Sequence, residues 1–203
     1  MRKAQIRAAA AYLIGERGLS HTRVEDVAAR AGTSKAAVLY WFGGKDELLA
    51  EALRLQDEVF YGELTQRMAS LESAGQRLRL VGEMFLFRYE YRLWMQLCVH
   101  ALNDPATADV RLSFDRRWRE LIARTIAEGQ EGGEFESGDA QELAVRLAAL
   151  LDGLSMQVTL ADPAVPRDDA LAIWLRAAED WLGATLEAAP DLAAIELEAG
   201  ESR

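Results

Sequence analysis

Apolar residues along this chain recur three and four positions apart, and nowhere do they alternate with polar ones over the length of a strand, so the pattern predicts an all-α protein. An amphipathic helix is expected over residues 2–16, closed by Gly18. A short helix follows, with Val24, Val27, Ala28 and Ala31 on one inward face and Glu25, Asp26 and Arg30 turned to water. Thr22 is its expected N-cap, and Glu25 three residues on completes a capping box worth about 1 kcal/mol. Gly32 ends the helix, because a residue without Cβ enters the left-handed region cheaply, and Thr33 or Ser34 restarts the chain as a new cap. The second short helix, Ser34 to Phe42, pins Val38, Leu39 and Phe42 inward. Lys35, Ala36, Ala37, Tyr40 and Trp41 remain outside.

Two short helices meeting at a tight glycine turn form a helix-turn-helix, in which the N-terminal residues of the second helix meet base edges in the major groove. Ala36 and Ala37 are small enough to let the backbone approach. Tyr40 and Trp41 admit two readings: contacts to a duplex, or aromatic cover for the bottom of a small three-helix core.

Beyond this motif a long helix is expected from Lys45 to Met68, with an inner stripe of Leu48, Leu49, Leu53 and Val59 or Phe60. It is read as a rod able to carry a displacement from the body to the head. A segment over residues 76–102, apolar nearly all round, is expected to run through the middle of the larger domain, bounded by Pro105. Helices over 108–128, 140–160 and 168–186 complete the pattern, separated by GQEGGEFESG and ADPAVP. The expected division is a DNA-binding domain over 1–47, a ligand-binding and dimerisation domain over 48–189, and a frayed tail over 190–203.

Composition refines this picture. The chain has 203 residues, half of them hydrophobic, enough for one reading head and one substantial core. Its net charge of −10 argues against a nucleic-acid partner until the distribution is considered. Up to residue 47 there are 8 Lys+Arg against 5 Asp+Glu, and after it 15 against 28, so only the head is basic. Arg2, Lys3, Arg7, Arg23, Lys35 and Lys45 supply that footprint. Apolar runs are interrupted by charge well before a membrane span, and the opening segment does not read as a cleavable signal, so a cytoplasmic protein is expected. The lone Cys98 makes no internal disulfide; with two histidines far apart in sequence, neither a metal site nor a cofactor is expected.

The residues AGTS, VLYWF and GKDEL resemble the TetR/AcrR family of transcriptional regulators. The departures are Thr33 in place of a usual valine, the order of Leu39 and Tyr40, and Trp41 in place of a common histidine; they concern which bases or phosphates are touched. The resemblance implies about nine helices and a pseudo-palindromic double-stranded operator bound by a homodimer. It also implies that Tyr40 and Lys45 meet phosphates, Lys45 at a helix N-terminus where aligned N–H groups attract an anion. The DNA-contact set is Thr22, Arg23, Thr33, Ser34, Lys35, Ala36 and Ala37, with Tyr40, Trp41 and Lys45.

ALNDPATADV, RWRELIARTIAEGQEGGEF and LAALLDGLSMQ are similar to the BetI-like group within that family. This implies a small-molecule inducer site among the central helices, and some members of the group sense organic cations. Phe87, Tyr91, Trp94 and Cys98 are expected along one face, with Glu83 and Glu90 at neighbouring spacings, Trp118 and Met156 as opposing walls, and Asp152 as a further carboxylate for the ligand. Aromatic faces and a buried carboxylate suit a cationic or amphipathic ligand. Against this, Glu83 and Glu90 can instead pair with neighbouring arginines such as Arg79 or Arg92. The last two helices carry stripes larger than a core requires: Leu143, Leu147, Leu150 and Leu154 on one, Leu171, Trp174, Ala178, Trp181 and Leu182 on the other. A four-helix dimer interface is expected there. The function so indicated is a ligand-responsive DNA-binding regulator, in the first instance a repressor. An activator of the same fold, and an all-helical ligand carrier or enzyme, are the alternatives; no nucleophile, paired-carboxylate or phosphate-loop motif supports the last.

Overall fold

The computed structural model describes residues 2–18, 20–88 and 91–188. Among these residues the secondary structure is α-helical throughout: α1 Arg2–Arg17, α2 Val24–Arg30, α3 Lys35–Phe42, α4 Lys45–Met68, α5 Ala74–Phe87, α6 Tyr91–Ala101, α7 Pro105–Glu131, α8 Ala140–Thr159 and α9 Arg167–Leu182. The tail expected over 190–203 lies outside the described residues. None of the described helices is long and apolar enough to cross a membrane.

The chain forms two compact units, Met1–Glu63 with Glu90–Arg117, and Leu64–Tyr89 with Trp118–Arg203. Compactness thus divides α4 and α7 internally, whereas the functional division at residue 47 is a proposal about roles. In the first unit Ile6, Ala10 and Ile14 of α1, Val27 of α2, and Val38 and Phe42 of α3 join Leu48 and Ala52 of α4 in one core. Leu93 and Leu97 of α6 and Val110 and Phe114 of α7 belong to the same cluster.

The apolar stretch over 76–102 is therefore two helices, not one. α5 ends at Phe87, with Arg88 as its C-cap at φ −121° and ψ −22°. No Pro or Gly marks the break, and continuous hydrophobicity arises because α5 and α6 bury residues in two different cores.

In the second unit α9 packs against α8 and α5 around Trp174, which is fully buried and whose indole Nε1 donates to Leu147 O at 3.1 Å. Gly82 of α5 makes this possible, since a Cβ there would lie 2.6 Å from the Trp174 ring. Glu134 accepts from Ala74 N at 3.0 Å and Gly75 N at 3.1 Å, placing a carboxylate on the α5 N-terminus where the helix dipole favours it. α9 stops at Gly183, left-handed at φ 62°, rather than continuing to Leu186.

Candidate functional site

The turn between α2 and α3 is built from local bonds. Thr33 N donates to Ala28 O and Gly32 N to Ala29 O, at 2.9 and 3.2 Å, the paired bonds of a Schellman ending, with Gly32 at φ 61°. Ser34 then caps α3, its side-chain oxygen accepting from Ala37 N at 3.2 Å. The expected capping box on α2 does not form. Arg23 is the N-cap and makes no side-chain cap bond, while the Thr22 hydroxyl donates backwards to Gly18 O at 2.8 Å. Thr22 is 1% exposed, so it braces the α1–α2 junction and offers nothing to a groove.

The rest of the expected contact set stands at the surface. On α3, Val38 and Phe42 face inward, Lys35 and Ala36 are exposed, and Thr33 and Ala37 are partly so. Tyr40 is 82% exposed and Trp41 43%, their rings in a T-shaped pair with centroids 5.5 Å apart, which excludes the reading of Tyr40 as core cover. Lys45 is exposed as the first residue of α4. Lys35 Nζ donates to Glu25 at 2.6 Å, and this bond holds the Glu25 carboxyl below its ordinary range. The lysine is thus presented from α3 by a carboxylate on α2. Arg7 differs from the rest of the basic footprint: its Nε donates to Glu51 O at 3.0 Å and its Nη2 to Glu58 at 2.6 Å, so it fastens α1 to α4.

The residues expected to line a ligand site fall in both units. Phe87, on α5, is exposed in the second unit with the Arg167 guanidinium 5.7 Å from its ring, whereas Tyr91, Trp94 and Cys98 share a face of α6 in the first unit. The four do not lie along one helix face, because no single helix carries them. Tyr91 is buried, Trp94 sits 6.3 Å from the Phe114 ring, and Cys98 is partly exposed. Glu90 lies outside the described residues. Trp118 is buried against Phe85, T-shaped at 5.3 Å. On α8, Asp152 is half-buried and Met156 exposed. Glu83 pairs with Arg79 at 2.7 Å within α5, as its bland alternative required. A shallow groove of about 340 Å³ on the second unit, lined by Arg77, Leu121, Arg124, Thr125 and Glu128 among others, uses none of the expected residues.

The dimer stripes need a similar correction. Leu147, Leu154, Trp174, Ala178 and Leu182 are buried in their own protomer's core and have no surface for a partner. Leu143, Leu150 and Leu171 are half-buried and Trp181 is exposed. The outward face of α8 is instead Val145, Ala149, Met156 and Leu160, at helical spacing, three of them large and apolar.

Sequence reasoning missed one cluster in the first unit. Of the two alternatives at the end of the expected α4 stripe Val59 is 63% exposed and Phe60 half-buried, and the buried line within this unit runs Leu53 to Asp57, one turn apart on the same face. Asp57, 3% exposed, pairs with Arg117 of α7, whose guanidinium lies 4.2 Å from the Tyr61 ring centroid. Burial pushes the Arg117 pKa down from its ordinary value. An acidic residue in phase with leucines was the available signal.

Comparison with known proteins agrees with this geometry. Residues 6–52 match the model of bacterial regulatory proteins of the tetR family, and residues 74–183 that of the BetI-type transcriptional repressor C-terminal domain. The chain is 27% identical to the HTH-type transcriptional regulator BetI of Burkholderia cenocepacia strain HI2424, over 85% of this chain and 90% of that one. It is similar to a Saccharomonospora viridis protein crystallised with choline, at 32% identity and a TM-score of 0.74, covering 85% of this chain and 92% of the other. A Rhodococcus sp. structure superposes with a TM-score of 0.75 at 27% identity, covering 89% and 98%.

Proposed function

This chain belongs to the tetR family of bacterial regulatory proteins, with a C-terminal domain of the BetI repressor type, and from that premise we propose that it is a homodimeric repressor released from its operator by a small organic cation. The observation that carries the reading is the surface of α3: a capped helix whose inward side is spent on Val38 and Phe42 and whose outward side offers Lys35, Ala36, Tyr40 and Trp41. Small residues at its N-terminal end let the backbone into a major groove, while Tyr40 and Lys45 position it on phosphates.

A dimer places two such helices about 34 Å apart, one helical turn of DNA, on a pseudo-palindromic site. The outward apolar face of α8, with Trp181 of α9, supports a self-complementary interface. Likeness to a protein crystallised with choline supports an organic cation as inducer. The cation would favour a conformer whose heads are wrongly spaced, each 1.4 kcal/mol of preference being about tenfold in operator affinity. The protein acts in the cytoplasm, where its operator is, and through binding equilibria rather than bond chemistry. Mobility-shift titration of the upstream intergenic DNA tests this: a discrete complex that choline dissociates supports it, and no discrete complex opposes it.

A further inference from the structure

Asp57 and Tyr61 stand one turn apart on α4, and the Arg117 guanidinium of α7 occupies the space against both. A carboxylate 3% exposed beside an aromatic face is the chemistry that recognises an organic cation, by charge on one side and by the ring quadrupole on the other. We infer that Asp57 and Tyr61 are the inducer's cation subsite, filled from within by Arg117 until a quaternary ammonium group displaces it. This rests on the cationic inducer proposed above.

The exchange is physically even-handed. Arg117 keeps a third of its side chain in water, so it can swing outward and recover hydration without unfolding α7. Asp57 never stands uncompensated, because one cation replaces another. A quaternary ammonium has no N–H groups to satisfy, so only charge and the ring face are asked of the site. The exchange also breaks the tie between α4 and α7. On the adjacent positions of α4, Gln56 donates to Ala11 O at 3.0 Å and Glu58 accepts from Arg7, so the same turn that holds the cation holds α1 of the reading head. Displacing Arg117 therefore alters the support of α1 through α4.

Calorimetric titration of the full-length protein with choline, and with 3,3-dimethyl-1-butanol as its uncharged isostere, tests the assignment. Wild type is expected to bind choline and not the alcohol. Arg117→Gln is expected to bind choline about tenfold more tightly, Tyr61→Leu about 2- to 30-fold more weakly, and Asp57→Asn at least about tenfold more weakly. Because Asp57→Asn takes away the carboxylate that the Arg117 guanidinium pairs with, the double variant Asp57→Asn/Arg117→Gln serves beside it; it should melt cooperatively and bind choline at least about tenfold more weakly than Arg117→Gln. If wild type binds choline and the folded double variant binds it as tightly as Arg117→Gln does, the subsite is elsewhere and only this assignment falls. If neither wild type nor Arg117→Gln binds choline, the assignment and the cationic inducer fall together.

Discussion

The two compact units use their apolar residues differently. The first packs α1, α2 and α3 with parts of α4, α6 and α7 around a core in which small side chains, Ala9, Ala10, Ala28 and Ala52 among them, stand beside larger ones such as Phe42 and Phe114, and it leaves Tyr40 and Trp41 at its surface. The second wraps α5, α8 and α9 around a fully buried tryptophan and turns a thinner apolar stripe outward. An exposed aromatic is informative where the core beneath it is already complete, and an apolar stripe is uninformative until it is known which core it fills.

That contrast is broken most severely at Trp174. Replacing it with alanine removes a fully buried indole and its bond to Leu147 O, and should cost about 3–5 kcal/mol, read as a lowered denaturant midpoint. An equally large loss from Trp41→Ala, whose ring is 43% exposed, would contradict the division of labour. Next in size is Gly82→Ala: a methyl 2.6 Å from the Trp174 ring forces α5 and α9 apart, for about 1–3 kcal/mol by thermal melting. Gly153→Ala on α8, where a Cβ meets open space, is the control and should be neutral or slightly stabilising.

In the reading head effects are smaller and local. Ser34→Ala removes the α3 cap and should cost about 1 kcal/mol, with a parallel loss of operator affinity. The smallest effect is the pH dependence of the Glu25–Lys35 bond. Glu25 has a folded pKa below its unfolded value, so its contribution is present above the unfolded pKa and is lost as pH falls through the folded one. Denaturation midpoints followed from pH 6 downward should fall less steeply in Glu25→Gln than in wild type.

How much was legible in sequence follows from the same physics. Gly32, Ser34 and the inward face of α3 were readable because turn and cap chemistry is local. Thr22 misled because a hydroxyl that fits a capping box can equally donate backwards, here to Gly18 O. The stripe through Leu147 and Trp174 was real, but periodicity does not say whether a face meets its own protomer or another; the exposed Val145 and Met156 lie on the other side of α8. The break after Phe87 carried no Pro or Gly, so the ligand face drawn across it could not be seen to divide. Asp57 was legible only as an oddity, a charge where the helical phase calls for leucine.

The central claim is that the outward face of α3 reads duplex DNA. Fluorescence anisotropy of the labelled upstream intergenic duplex, titrated with full-length wild type and with Tyr40→Ala at low and moderate salt, measures it directly. The account predicts a saturable complex that weakens as salt rises and weakens further with the variant. No saturable complex at low salt, or identical binding by wild type and variant, would contradict it.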